Sequence, residues 1–188
     1  MITVRVERPA DLVAVREVND RAFGRGVEGA VVDELRETCP TSLSLVAEEG
    51  GQIVGHALFS PIRIECNGSV VLEGMGLGPL AVAPERQRCG IGSMLVRAGL
   101  NTVRDRGCPF VLVIGHPAYY PKFGFTPASA RGLVPQWEGI PDEAFMVLVL
   151  DERAMAGVPG VASYRSEFDP VSRRRLLRRL PRFSAARF

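Results

Sequence analysis

The chain has 188 residues, 46% of them hydrophobic and 23% charged. That is enough apolar chain for one full core, with the ordinary balance of a globular domain. The longest apolar runs are far too short to span a bilayer and residues 1–7 lack a signal-peptide layout, so a cytoplasmic protein off the membrane is expected. Cys39, Cys66, Cys89 and Cys108 are scattered without a Cys-x-x-Cys pair, which suits reduced thiols. No His/Cys/Asp/Glu cluster has metal-ligand spacing, so no metal is expected. The net charge of +2 hides an asymmetry. Residues 171–188 hold seven of the 23 basic residues and no acid, leaving a body with 16 basic against 21 acidic residues. An acidic body suits basic or amine substrates through its field.

Ile2, Val4 and Val6 alternate with Thr3 and Arg5, which predicts a half-buried strand. Pro9 opens a helix, and Leu12, Val15, Val18 and Ala22 give its apolar face. Phe23, Gly24, Arg25 and Gly26 break it. A second helix is predicted over residues 28–38, with Val31, Val32 and Leu35 inward and Pro40 as its stop. Residues 42–48 and 52–59 read as a hairpin about Glu49-Gly50-Gly51. Asn67-Gly68 signals another, joining residues 62–66 to 70–82.

The strand at 70–82 is irregular, because it holds Gly74, Gly76, Gly78 and Pro79. Pro79 cannot donate to a ladder, so a regular central strand is not expected, and a bulge would reconcile these residues with the apolar ends. Such a strand frees N–H and C=O groups for an extended, amide-bearing ligand. Its end passes through Leu80-Ala81-Val82-Ala83-Pro84 into Gln87-Arg88-Cys89-Gly90-Ile91-Gly92. A helix follows over residues 91–106, with Ile91, Met94, Leu95, Ala98 and Thr102 on one face and Gly107 as its end. The bend therefore lies at a helix N-terminus, where orphan N–H groups and the dipole favour an anion. Gly90 and Gly92 let a ligand approach the backbone. This is a phosphate cradle, but its spacing is neither the nucleoside-triphosphate loop nor the dinucleotide fingerprint.

Residues 110–114 form a continuous apolar run, hence a strand buried on both faces. Residues 126–143, with the only tryptophan, Trp137, read mainly as loop. Residues 145–150 are another strand and 161–164 a last short one. Asp169-Pro170 then starts a short arginine-covered helix that ends at Pro181. Docking of that helix on the acidic body is the first reading, and a homodimer arm the second. Nucleic-acid binding ranks last, since no aromatic stacking platform accompanies the arginines.

Two motifs carry a resemblance over roughly residues 1–165. Gln87 to Gly92, following Leu80-Ala81-Val82-x-Pro84, resembles the Gln/Arg-x-x-Gly-x-Gly/Ala pyrophosphate loop of the GNAT N-acetyltransferase superfamily. Tyr120-x-x-x-Gly124-Phe125 resembles that family's tyrosine four residues before Gly-Phe. Tyr-Tyr-x-x-Phe-Gly-Phe beside Gly-Pro-Leu-Ala-Val is similar to a bacterial, YhbS-like branch. The resemblance implies an α+β fold: a mixed, mostly antiparallel sheet of six to seven strands, flanked by helices. The sheet is splayed into a V between residues 70–82 and 110–114, near Pro79. It implies a domain over residues 1–166 with a basic tail at 167–188.

It also implies acetyl-CoA as co-substrate, with its pantetheine arm on the splayed strand. The acceptor is an amine of a small molecule or peptide, attacking directly in a ternary complex. Leu80, Ala81 and Val82 would then lie along the arm and offer a backbone N–H to the acetyl carbonyl. Gln87, Arg88, Cys89, Gly90, Ile91 and Gly92 would hold the pyrophosphate. Tyr120 would protonate the leaving thiolate, with Tyr119 as the packing alternative. The family's usual base, a Glu on the central strand, falls at Gly76 and is missing. Glu73 acting through water and His116 are the base candidates, with His116 ranked ahead of His56. Cys89 at a helix start would have a lowered pKa, but no histidine is near it in sequence to make it a nucleophile. The rival from another class is a non-catalytic acyl-CoA-binding or regulatory module.

Overall fold

The computed structural model describes residues 1–24 and 26–169. The expected tail helix after Pro170 lies outside them. The chain divides into two compact units. Among the described residues, one comprises 1–60 and 78–101 and the other comprises 61–77 and 102–169.

The first unit opens with β1 (Ile2–Val6) and a 3-10 turn at Pro9–Asp11. Helices α1 (Leu12–Phe23) and α2 (Val27–Thr38) follow, then β2 (Leu43–Glu49) and β3 (Gln52–Cys66). β1 runs antiparallel to β2, Ile2 facing Glu49 and Val6 facing Leu45. β2 runs antiparallel to β3, with a bulge that leaves Val54 without an opposite residue. Val6 differs from its expected half-burial, being 58% exposed near the end of an edge strand. The turn before α1 is tighter than an α-helix and shifts the phase of the face. Leu12 is therefore turned outward, while Asn19 joins Val15 and Val18 inside. Asp11 fixes that turn: its carboxylate accepts the Arg8 N–H at 2.7 Å and two bonds from the Arg5 guanidinium.

Strand β4 (Ser69–Val82) and helix α3 (Ile91–Asp105) run through both units, as β3 does. Within the first unit α3 lies on β3. A Cβ on Gly99 would sit 2.1 Å from the Phe59 ring, and one on Gly55 would meet Ile91 and Leu95 at 3.0 Å. These close approaches rotate the buried face. Ile91, Leu95, Val96, Leu100 and Val103 are buried, whereas Met94, expected inward, is exposed.

The second unit contains β5 (Phe110–Ile114), β6 (Thr126–Pro127), β7 (Leu133–Pro135), β8 (Phe145–Val149) and β9 (Gly160–Ser163). Antiparallel ladders join β5 to β8, β6 to β8 and β9 to the second half of β3. Parallel ladders join β4 to β5 and β7 to β9. Its core packs Ile62, Ile64, Phe110, Leu112, Phe145 and Val147.

The described residues form nine strands, against the six to seven expected. The extra strands β6 and β7 fall in the stretch read as loop. They are two and three residues long and pair only with distant partners, so no local alternation marks them. β4 is one continuous strand through Pro79, with a cis Gly78–Pro79 peptide. Its ladder with β5 has three pairs, from Met75–Val111 to Leu77–Val113, and stops just before that proline. This is the open, mixed sheet expected of the fold. No helix among the described residues is long and apolar enough to cross a membrane.

Candidate active site

In the first unit β4 ends at Val82, a 3-10 turn spans Pro84–Arg86, and α3 begins at Ile91. Two left-handed residues shape the bend between, Arg88 at φ 63° and Gly90 at φ 82°. Glycine adopts that conformation freely; arginine does so only when its surroundings impose it. Gln87 Nε2 donates to the Val82 carbonyl at 3.1 Å and ties the bend to the strand end. Leu80, Ala81 and Val82 are themselves buried. The first bond of α3 runs from the Met94 N–H to the Gly90 carbonyl, at 3.0 Å. The N–H groups of Ile91, Gly92 and Ser93 therefore have no acceptor inside the helix.

A Cβ on Gly90 would meet nothing within 4 Å, so the backbone there faces open space. Arg86 is held by Glu49 at 2.6 Å, whereas no carboxylate among the described residues pairs with Arg88. Orphan N–H groups, the positive helix end and an exposed guanidinium together suit a phosphate-type anion. Cys89 is exposed, and its thiol donates to the Gln87 carbonyl at 3.5 Å.

In the second unit a 3-10 turn, Tyr120–Phe123, closes on Gly124 at φ 94°. Tyr120 is buried with its ring on the Gly115 backbone: a Cβ on Gly115 would lie 2.2 Å from Tyr120 Cε2. Tyr119 and Phe125 meet that ring edge-on at 5.1 and 5.7 Å. Burial and the neighbouring Tyr119 push the Tyr120 phenol up, so it keeps its proton through neutral pH. Tyr119 is only half buried and carries Lys122 Nζ 3.8 Å above its ring.

His116 lies in the turn before Tyr120. Its Nδ1 accepts the Ala118 N–H at 3.2 Å and its carbonyl accepts the Tyr119 N–H at 2.9 Å. Glu73 is exposed on β4 and accepts the Arg63 Nε–H at 3.1 Å across the hairpin. His56, ranked behind His116, is in the first unit's core. Asn19 gives one amide hydrogen to the Val15 carbonyl and directs the other at His56 Nδ1, 3.0 Å away. With Nδ1 accepting, the proton sits on Nε2 and points to Ser44 Oγ at 2.9 Å. Ser44 in turn donates to Glu7, which pairs with Arg36. Burial and the Arg36 charge push the His56 pKa down to about 3. It is a neutral core residue with both ring nitrogens bonded.

At Gly76, where the family pattern has its Glu, the structure places the Tyr164 ring instead: a Cβ on Gly76 would lie 2.8 Å from Tyr164 Cε1. Sequence reading missed this residue, since Tyr164 lies far along the chain in a weak strand signal. The one available hint is that the chain has only three tyrosines. No group of three or more His, Cys, Asp or Glu among the described residues could hold a metal ion.

Residues 3–128 match the model of the acetyltransferase (GNAT) domain. The uncharacterized N-acetyltransferase YhbS of Escherichia coli K12 is 34% identical over 167 residues, covering 88% of this chain and 98% of YhbS. A second E. coli K12 relative, the uncharacterized N-acetyltransferase YjhQ, is 38% identical over 143 residues, 75% of this chain and 78% of its own. The crystal structure of E. coli YhbS in complex with CoA is similar with a TM-score of 0.82 at 33% identity, over 89% of this chain and 92% of that one. A GNAT family acetyltransferase from Brucella melitensis, crystallised with acetyl-CoA, gives 0.72 at 34% identity, over 90% and 99%. An open mixed sheet, a glycine bend at the α3 N-terminus and a family match spanning most of the chain lead to one assignment: the protein belongs to the GNAT acetyltransferase family.

Proposed function

We propose that the protein is an acetyl-CoA-dependent N-acetyltransferase, passing the acetyl group directly to an amine of a small molecule or peptide in a ternary complex. The observation that carries this reading is the bend at residues 87–92, with its left-handed Gly90, open backbone and exposed Arg88. Gln87, Arg88, Cys89, Gly90, Ile91 and Gly92 hold the pyrophosphate, mainly through backbone N–H groups. Leu80, Ala81 and Val82 lie along the pantetheine arm, and a backbone N–H there faces the acetyl oxygen as its charge grows. That two relatives are crystallised with CoA and acetyl-CoA supports the ligand.

In this scheme the acceptor nitrogen bonds to the acetyl carbon and the carbon–sulfur bond breaks. The sulfur takes the Tyr120 proton. The proton shed by the acceptor nitrogen leaves through His116, or through water to Glu73. No metal takes part, the setting is cytoplasmic, a homodimer is compatible with it, and nucleic acid is not a partner. One observation favours a second reading, a non-catalytic acyl-CoA-binding or regulatory module: Gly76 stands where the family's Glu is usual.

A screen of amine acceptors that follows CoA thiol release, beside acetyl-CoA calorimetry, separates the two. Wild type is expected to bind acetyl-CoA and to release thiol only when an amine is present. Tyr120→Phe keeps the affinity and lowers kcat by about two to four orders of magnitude. Binding without release for every amine favours the module; wild-type turnover in Tyr120→Phe removes that residue from the chemistry.

A further inference from the structure

We propose that the Tyr164 hydroxyl is the group that receives the acceptor amine, an inference that rests on the transferase reading. The ring is fixed from several sides. It lies against β4 at Gly76, within 2.8 Å of where a Cβ would be, so a side chain at 76 and this ring exclude one another. Trp137 stacks on it at 5.2 Å and 28°, and Phe168 meets it edge-on at 5.7 Å. Gln136 Oε1 accepts the Tyr164 N–H and anchors its backbone. Yet the hydroxyl oxygen is buried and has no hydrogen-bond partner among the described residues. A buried hydroxyl without a protein partner takes its hydrogen bond from a bound water or from a ligand, and here a ligand's N–H would replace that water.

The place and the chemistry fit an amine. Gly76 is one residue short of the point where the β4–β5 ladder ends. Burial first, and then repulsion between the ionised forms of the two phenols, raise the Tyr164 pKa, so Tyr120 and Tyr164 share a neighbourhood in this unit. Burial holds the Tyr164 proton in place, so the residue is not the base. A phenol oxygen accepts an N–H from a neutral primary amine while its own hydrogen remains available to a second acceptor. That contact would orient the nitrogen lone pair, the task a carboxylate at position 76 cannot perform here. Burial of the hydroxyl favours the uncharged amine over a hydrated ammonium ion, since an ion there would lose its water.

Trp137 is the only tryptophan and is stacked on Tyr164, so its fluorescence reads this site. The full-length protein, saturated with CoA, is titrated at alkaline pH with n-butylamine, spermidine and alanyl-alanine amide. A saturable change in emission is expected with at least one of them. Tyr164→Phe keeps the ring and should weaken that amine by about tenfold, while acetyl-CoA affinity by calorimetry stays within about twofold. Gly76→Ser, which displaces the ring but leaves the hydroxyl, should weaken the amine in the same direction. Equal amine affinity in Tyr164→Phe, or no saturable response to any of the three in wild type, overturns the inference. Failure of wild type to bind acetyl-CoA would instead overturn the transferase reading, and calorimetry records that separately.

Discussion

The bend at residues 87–92 offers its donors from the backbone, whereas the cluster around Tyr120 and Tyr164 offers hydroxyls on side chains. The difference decides what each can tolerate. A backbone cradle depends on glycine conformation and empty space, and most side chains near it are spectators. A side-chain site depends on which rings meet, and those meetings are set by glycines at 76 and 115 that carry no chemistry themselves.

The sharpest way to break the comparison is to put a charge on the cradle. At Gly90 a Cβ meets no neighbour, and aspartate tolerates the left-handed region better than most residues, so Gly90→Asp should fold. Its carboxylate would stand near the expected phosphates. Two like charges about 4 Å apart near a protein surface repel by about 4 kcal/mol, which is roughly a thousandfold in Kd. Calorimetry with acetyl-CoA reads that loss, and Gly90→Asn, similar in shape but neutral, should retain most of the affinity. Unchanged binding in the aspartate variant would count against the cradle.

That contrast also explains what was legible in the sequence. The bend could be read because its parts are consecutive: strand end, Pro84, two glycines and an amphipathic helix. The turn at Tyr120 could be read for the same reason. Tyr164 on Gly76 could not, because the two are 88 positions apart and neither is unusual locally. The face of α3 could be read only in part. Ile91 and Leu95 are buried as expected, but Met94 is exposed and Val96 and Leu100 are buried instead, a choice set by the approach of Gly99 to Phe59. β6 and β7 were missed because strands of two or three residues exist only through their distant partners.

A second test concerns the first unit's interior. Folded His56 has its pKa pushed down to about 3, and an unfolded histidine titrates near 6.5. Below pH 6.5 the unfolded chain therefore takes up a proton that the folded chain refuses. Stability should fall by about 1.4 kcal/mol per pH unit until the folded pKa is reached. Asp11, held at about 2 by Arg5, adds its own loss only below the unfolded carboxylate pKa, near 4. The interval from pH 6.5 to 5 thus isolates His56. Urea unfolding at pH 7 and pH 5 should differ by about 2 kcal/mol. A stability that does not change between them would mean the imidazole is not buried in its neutral form.

The smallest expected effect belongs to the arginine-rich tail. Its seven arginines follow an acidic body, so docking by charge and a thin apolar strip is the proposed arrangement. Truncation after Asp169 keeps the carboxylate that accepts the Trp137 Nε1–H, and so leaves the described aromatic cluster whole. Acetyl-CoA affinity should stay within about twofold, since none of the proposed pyrophosphate residues lies beyond position 92. Loss of docking should lower Tm, by about 2–4 °C for each kcal/mol in a chain of this size. Salt should shrink the difference between full-length and truncated protein, because exposed charges are screened within about 10 Å at 0.1 M. A dimer arm predicts something else, a change of mass in solution on truncation. Nucleic-acid binding predicts a gel shift by the full-length protein alone that weakens steeply between low and moderate salt. Either result would displace docking on the body, and a salt-independent fall in Tm would assign the contact to the apolar strip.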